Sequence, residues 1–209
     1  MIEMQIQQLK EQLKEITLVA ATKGRTIEEI SRAVSAGINI IGENYVQEAE
    51  EKHRQLDGKA VFHLIGRLQR NKVSKAVKIF DMIQTVDSFL LAQKINGESV
   101  KIKKKMPLLV EVNIAKEKNK TGCLPEEIEL LLNDISTLTN VQLKGLMTMG
   151  PAFTGPEEIR LYFKEMKIIF ERLQKKYNLS ILSMGMSDNY HIAVEEGATM
   201  VRMGEKIFE

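Results

Sequence analysis

A single cysteine, Cys123, is the whole thiol inventory of 209 residues, so no disulfide forms within the chain and the composition is compatible with a reducing cytoplasm. No stretch approaches the ~20 consecutive apolar residues that cross a bilayer. The opening MIEMQIQQLKEQLKEI is no signal peptide, because Glu3, Lys10, Glu11 and Lys14 interrupt any apolar run. A soluble, cytoplasmic protein without a membrane partner is expected. Charge of one sign is also missing: Lys+Arg 30 against Asp+Glu 28 leaves a net +2, too weak a field to imply nucleic acid. The one basic cluster, Lys101 to Lys105, precedes a strand and reads as a solvated loop.

Several chemistries are excluded by what is absent. His53, His63 and His191 are too scattered for metal-ligand spacing and no H-E-x-x-H occurs, so no metal is expected. Gly185-Met186-Ser187 lacks the second glycine of a nucleophile elbow, and no Asp-then-His follows in triad order. The glycines at 42, 66, 150 and 185 never assemble the G-x-G-x-x-G of a dinucleotide fold. Cys123 has no histidine nearby in sequence and reads as a small half-buried residue beside Gly122, not a nucleophile.

What is present is an alternation of short β-branched runs with helical patterns from Thr17 onward, the signature of βα units around a parallel sheet. Eight strands are predicted: Leu18 to Ala21, Asn39 to Ile41, Val61 to Ile65, Met82 to Thr85, Leu108 to Asn113, Gln142 to Met147, Ile181 to Met184 and Thr199 to Arg202. Thr26 with Glu29 forms a potential capping box, Gly37 a helix stop, and Pro125 and Pro156 suit first helical turns. The longest helix, Glu157 to Tyr177, carries Ile159, Phe163, Met166, Phe170 and Leu173 on one face. Eight such units at about 26 residues each predict one domain over residues 1–209, an α/β fold of the (β/α)8 TIM-barrel type with short loops. Ile2, Ile6, Leu9, Leu13 and Ile16 repeat at helical spacing and add an N-terminal amphipathic helix.

Barrel sites lie at the C-terminal ends of strands, with phosphate typically held after strands seven and eight. The rule selects Ser187, after strand seven, and Gly204 with Glu205, after strand eight. An ordinary helix cap and an ordinary turn are the competing explanations there. Lys23 ends strand one at the same mouth, where a lysine is either a surface charge or a Schiff-base amine made nucleophilic by a neighbouring cation and a partly dry setting. Asn44, just past strand two, is a candidate polar contact. Tyr45 and Tyr190 also fall near strand ends, whereas Tyr162 and Tyr177 lie on the long helix; all four read as packing or rim residues.

The segments TKG around Lys23, GENYVQE at Gly42 to Glu48, HLIGRLQRNK at His63 to Lys72, VNIAKEKNKTG at Val112 to Gly122, GLMTM at Gly145 to Met149, SMGMSDNY at Ser183 to Tyr190 and VRMGEKIF at Val201 to Phe208 resemble the pyridoxal phosphate homeostasis proteins, the bacterial YggS family. That family is similar to the N-terminal barrel domain of alanine racemase. The resemblance implies a pyridoxal 5′-phosphate aldimine on Lys23, a phosphate cradle from Ser187 with backbone N–H groups around Gly204 and Glu205, and Arg202 facing the pyridine nitrogen. It places His63 at the pocket edge or packed in its strand. Departures are Phe62 where Trp is frequent, Asn189 for a second Asp, Glu205 for Thr, and Arg25 for a second Lys; the chain also stops at Glu209, where relatives tend to continue.

The resemblance further implies a carrier more than a catalyst. Pyridoxal chemistry stores a carbanion best when a carboxylate protonates the ring nitrogen, and an arginine, charged at every ordinary pH, cannot. Racemases of this fold add a second domain with an acid/base tyrosine, and nothing after Phe208 is expected to build one. The expected function is therefore cofactor homeostasis without strong catalysis, with pyridoxal phosphate and the apo-forms of pyridoxal enzymes as partners, and a monomer or weak dimer as the assembly. The alternatives are an amino-acid racemase and a cofactor-independent aldolase using Lys23.

Overall fold

Eight parallel strands close into a barrel in simple chain order in the computed structural model, which describes residues 1–151 and 155–209. They are β1 (Thr17–Ala21), β2 (Ile40–Glu43), β3 (Val61–Leu64), β4 (Met82–Val86), β5 (Met106–Glu111), β6 (Val141–Met147), β7 (Ile181–Ser183) and β8 (Met200–Met203). All eight expected strands are found, their ends displaced by at most two residues. Closure is made by β1 against β8, in register from Thr17 with Met200 to Ala20 with Met203. A closed parallel sheet is covered on both faces, which is why β4 is buried at every position.

The helices are α1 (Ile2–Leu13), α2 (Ile27–Ser35), α3 (Val46–Leu56), α4 (Val73–Ile79), α5 (Phe89–Lys101), α6 (Ile128–Ser136), α7 (Pro156–Tyr177), α8 (Tyr190–Glu195) and α9 (Glu205–Phe208). The α2 capping box is formed: the Glu29 N–H donates to Thr26 Oγ1 and the Thr26 N–H to Glu29 Oε2. Pro156 occupies the first turn of α7, whose expected apolar face is buried. Pro125 does not enter α6. It sits in a turn closed by the Glu127 N–H on the Leu124 carbonyl, three residues before the helix starts, where its fixed φ suits the turn.

Helix α1 buries Ile2, Ile6, Leu9 and Leu13, while Ile16 lies past its end and is half-buried. It contacts α2, α9 and β1. Helix α1 thus packs beside the four-residue α9 that follows β8. The Tyr190 hydroxyl, donating to Gln12 Oε1 at 2.9 Å, ties α8 to the same helix. The basic segment Lys101 to Lys105, expected to be a solvated loop, is solvated only in part: Lys104 is half-buried and donates to the Val77 and Phe80 carbonyls at 3.1 and 2.7 Å, capping the C-terminus of α4. Its neighbours Lys101, Lys103 and Lys105 are exposed.

The main core lies between strands and helices. Two small apolar groups, Val19 with Ile65 and Met200, and Met82 with Leu109 and Met147, stand apart from it inside the barrel. Alternation along the strands puts four polar side chains in that same interior: His63, Gln84, Ser183 and Arg202, all buried.

Candidate functional site

At the end of β1 the chain makes a turn in which the Arg25 N–H donates to the Thr22 carbonyl at 3.1 Å. Gly24, at φ 70°, supplies the left-handed backbone this turn needs and an ordinary residue avoids. Lys23 therefore stands at the tip of a tight turn at the barrel mouth. It is exposed, not in the partly dry setting expected of it, and the Tyr45 ring centroid lies 5.9 Å from its Nζ. A clasp beneath it went unnoticed in the sequence. Lys52 on α3 donates to the Thr22 carbonyl at 2.6 Å and to Glu43 Oε1 at 2.7 Å, and the Thr22 hydroxyl donates to the same carboxylate oxygen. Glu43 is fully buried, and that burial raises its pKa against the opposing pull of Lys52 and Thr22.

Across the mouth, Ser187 Oγ is approached by two backbone donors, the Gly204 N–H at 3.3 Å and the Lys206 N–H at 3.5 Å. Gly204 precedes α9 and Lys206 lies in its first turn, so Ser187 Oγ takes up free donors at the N-terminus of α9 and does not cap α8. Residue Asn189 precedes α8, and its Oδ1 accepts the Met186 N–H at 2.8 Å, closing the loop that presents Ser187. The second donor aimed at the hydroxyl comes from Lys206; the exposed Glu205 borders the site between the two donors. Arg25, the departure beside the anchor, is engaged by Glu209 and Glu29 and stacks 5.3 Å over Phe208, fastening α9 to the β1 turn.

Arg202 on β8 is buried, and desolvation pulls its pKa down to about 10 against the opposing charge of Glu111. It remains a cation at neutral pH. Its two terminal nitrogens donate to Ser183 Oγ at 2.6 Å and to the Thr148 carbonyl at 2.9 Å. Asn44 reaches the mouth because Gly66 leaves it room, since a Cβ at 66 would come within 2.3 Å of the Asn44 carbonyl oxygen. His63 is packed in the interior, where burial lowers its pKa to about 4, and Phe62 beside it meets His53 edge-on at 5.2 Å.

One cavity of roughly 370 Å³ is bordered by Lys23, Asn44, Ser187, Arg202, Gly204 and Glu205 together. Every residue that sequence reasoning had singled out for the site converges there. The same cavity is walled by Met149 and Met186, which also border a neighbouring chamber of roughly 500 Å³; both lie in segments that carry the family resemblance, but neither was a site candidate in the sequence. Chemically the cavity offers a primary amine, a pair of convergent amide donors with a hydroxyl, and a fixed guanidinium. Cys123 is buried, and desolvation pushes its thiol up to about 12, which leaves it inert. Among the described residues no group of three or more His, Cys, Asp or Glu is placed to hold a metal ion, and no helix is long and apolar enough to cross a membrane.

A family model described as alanine racemase, N-terminal domain, matches residues 1–208. The pyridoxal phosphate homeostasis protein of Aquifex aeolicus is 38% identical over 194 residues, covering 91% of this chain and 85% of that protein. PipY of Synechococcus elongatus, solved without and with PLP, matches with TM-scores of 0.96 and 0.93 at 34% and 33% identity, over 100% of both chains. An alanine racemase of Clostridium difficile shares the fold alone, with a TM-score of 0.85 at 17% identity; the match covers 99% of this chain and 58% of the racemase.

Proposed function

The chain belongs to the pyridoxal phosphate homeostasis proteins, within the alanine racemase N-terminal domain family, and on that premise we propose that its 370 Å³ cavity holds pyridoxal 5′-phosphate for storage and delivery. The observation that carries this reading is the convergence of Lys23, the Ser187 cradle and Arg202 on one cavity. The donor set fits the group. Gly204 and Lys206 direct two N–H groups at one point, held by Ser187 Oγ, and donors that converge there together with the hydroxyl suit a phosphate oxygen. The cofactor supplies an aldehyde that condenses reversibly with a primary amine and a ring that accepts electrons.

Each residue then has a task of its own. Lys23 Nζ offers the amine, held at the tip of a turn that Lys52 pins through the Thr22 carbonyl. Ser187 with the Gly204 and Lys206 N–H groups anchors the phosphate. Arg202 would face the pyridine nitrogen as a hydrogen-bond donor and, as a guanidinium that stays charged near neutral pH, would not protonate it. An unprotonated ring is a poor electron sink, which supports a carrier over a racemase. The exposure of Lys23 supports it too, because an amine at an open mouth exchanges its partner with water and with acceptor proteins. Apo-forms of pyridoxal enzymes are the proposed recipients, the cytoplasm the proposed setting, and a monomer or weak dimer the proposed assembly.

The test is an absorption spectrum of the purified protein with pyridoxal phosphate before and after borohydride, followed by peptide mapping. The expected result is a reduced adduct on Lys23 that Lys23→Ala abolishes; an adduct on Lys72 or Lys120 overturns the assignment. Incubating the loaded protein with L-alanine in deuterated water separates carrier from racemase, since α-hydrogen exchange at enzyme-like rates contradicts the carrier reading.

A further inference from the structure

The barrel interior contains a polar file that the binding of a cofactor does not by itself require. Arg202 Nη1 donates to Ser183 Oγ at 2.6 Å, Ser183 Oγ to Gln84 Oε1 at 2.8 Å, and Gln84 Nε2 lies 3.0 Å from His63 Nδ1 and 3.3 Å from Met200 Sδ. All four polar side chains are buried. Their order of donation follows from one end. A guanidinium has donors only, so Ser183 must accept from it and turn its single proton elsewhere. The receiving group is the Gln84 carbonyl oxygen, which leaves the Gln84 amide nitrogen facing His63. The Nδ1 of His63 then carries a lone pair, and its proton sits on Nε2. Four residues on four strands thus share one consistent polarity, and β4 and β7, which are not neighbours in the sheet, meet across the lumen to complete it.

Apolar side chains would fill this space without the cost of desolvating four polar groups. What the file accomplishes is to commit Arg202. With one terminal nitrogen on Ser183 and the other on the Thr148 carbonyl, the guanidinium plane is fixed and cannot swing, and Thr148 is itself secured by its hydroxyl on the Val112 carbonyl at 2.9 Å. We infer that Ser183, Gln84 and His63 are positioning residues that aim Arg202 at the ring nitrogen of the bound cofactor, Ser183 directly and the other two through it. The inference rests on the pyridoxal phosphate reading of the cavity.

Two measurements test it, one with the cofactor and one without. In the loaded protein, Ser183→Ala is expected to weaken cofactor retention roughly tenfold, the scale of a misdirected charge-assisted hydrogen bond, and to shift the absorption maximum of the bound cofactor and its pH titration. Ser183→Thr, which restores the hydroxyl, is expected to recover the wild-type maximum. A purely structural Ser183 would lower thermal stability and leave the maximum and titration unmoved, and that result overturns the inference. In the cofactor-free protein, nitrogen NMR of the histidine rings is expected to show His63 as the Nε2–H tautomer. Gln84→Glu is expected to raise the His63 pKa, since a carboxylate at 84 demands a proton from Nδ1; Asp81 is the other charged group that acts on this ring. An Nδ1–H tautomer in the wild type, or no response to Gln84→Glu, overturns the file itself. Failure of the wild-type protein to take up pyridoxal phosphate overturns the functional reading and the aiming role with it, and is told apart because the NMR result stands on its own.

Discussion

Glu43 and Glu111 occupy equivalent places, each the last residue of its strand at the barrel mouth and each buried, yet their surroundings differ. Glu43 has a lysine: α3 begins soon after β2 and carries Lys52 back over the strand end, so one carboxylate oxygen receives an ammonium at 2.7 Å and a hydroxyl. Glu111 has no such partner among the described residues. Its strand leads into a long loop that delivers only the Thr121 hydroxyl, at 2.8 Å, while Arg202 and Arg67 act from further off and Asp87 opposes them. Burial raises the pKa of both acids. In both, the Oε2 atom has no protein partner. A buried carboxylate is turned into a structural clasp by a cation on the next helix. Without one it remains a wall of the 500 Å³ chamber, held in place by neutral donors.

The largest effect expected from this contrast is at Lys52. Lys52→Met removes the cation and leaves Glu43 buried alone, which should cost about 3–5 kcal/mol in urea unfolding at pH 8, and it should also loosen the Lys23 turn and slow cofactor capture. Adding Glu43→Gln to that variant should restore most of the loss. A single variant as stable as the wild type would erase the distinction between the two acids.

A buried base sharpens the comparison from the opposite side. His63 is held neutral, with a folded-state pKa of about 4 against an ordinary 6.5. The unfolded chain therefore binds its proton more readily, so this contribution is full above pH 6.5 and drains as the pH falls toward 4, about 3 kcal/mol in all. Unfolding of wild type and His63→Gln at pH 4.5 and pH 7.5 measures the difference, and equal acid sensitivity in the two proteins would contradict it.

For the carboxylates the sign is reversed. Their raised folded values mean that the native state keeps protons the unfolded chain has released, so their contribution is present below the ordinary carboxylate value and falls as the pH rises beyond it. Glu111→Gln should remove that decline and leave stability at pH 8 unchanged or raised by about 1 kcal/mol, read as a flatter profile of Tm against pH. A small effect is expected from Thr121→Val, which takes away the one hydroxyl bonded to Glu111 and should cost about 1 kcal/mol while the proposed cofactor cavity keeps its affinity.

Much of the candidate site was legible in the chain because it is built from strand ends. Lys23, Ser187 and Gly204 follow β1, β7 and β8, and alternating patterns locate those ends to within two residues, so barrel geometry alone brings the three to one mouth. Lys206 escaped notice because a backbone N–H has no residue signature. The clasp had a faint one, an acid closing a strand with a lysine nine residues on. Met149 and Met186 fall in family-like segments but had no chemical signature of their own, since a methionine that walls a cavity looks the same in sequence as one that fills a core.

What the sequence determined by itself was the list of elements, the closed parallel architecture and the strand ends that carry the chemistry, because periodicity and turn residues are local properties read within a dozen positions. What tertiary structure alone decided was which buried polar groups meet. Gln84 and Ser183 are 99 residues apart and belong to strands that are not neighbours in the sheet, and only barrel closure sets their side chains at hydrogen-bond distance. Glu43 gains its lysine from nine residues on, by way of α3, and Glu111 its hydroxyl from ten residues on, by way of the loop after β5. Each depends on how far one loop carries the chain before it turns back over the mouth, a distance that local propensities do not encode.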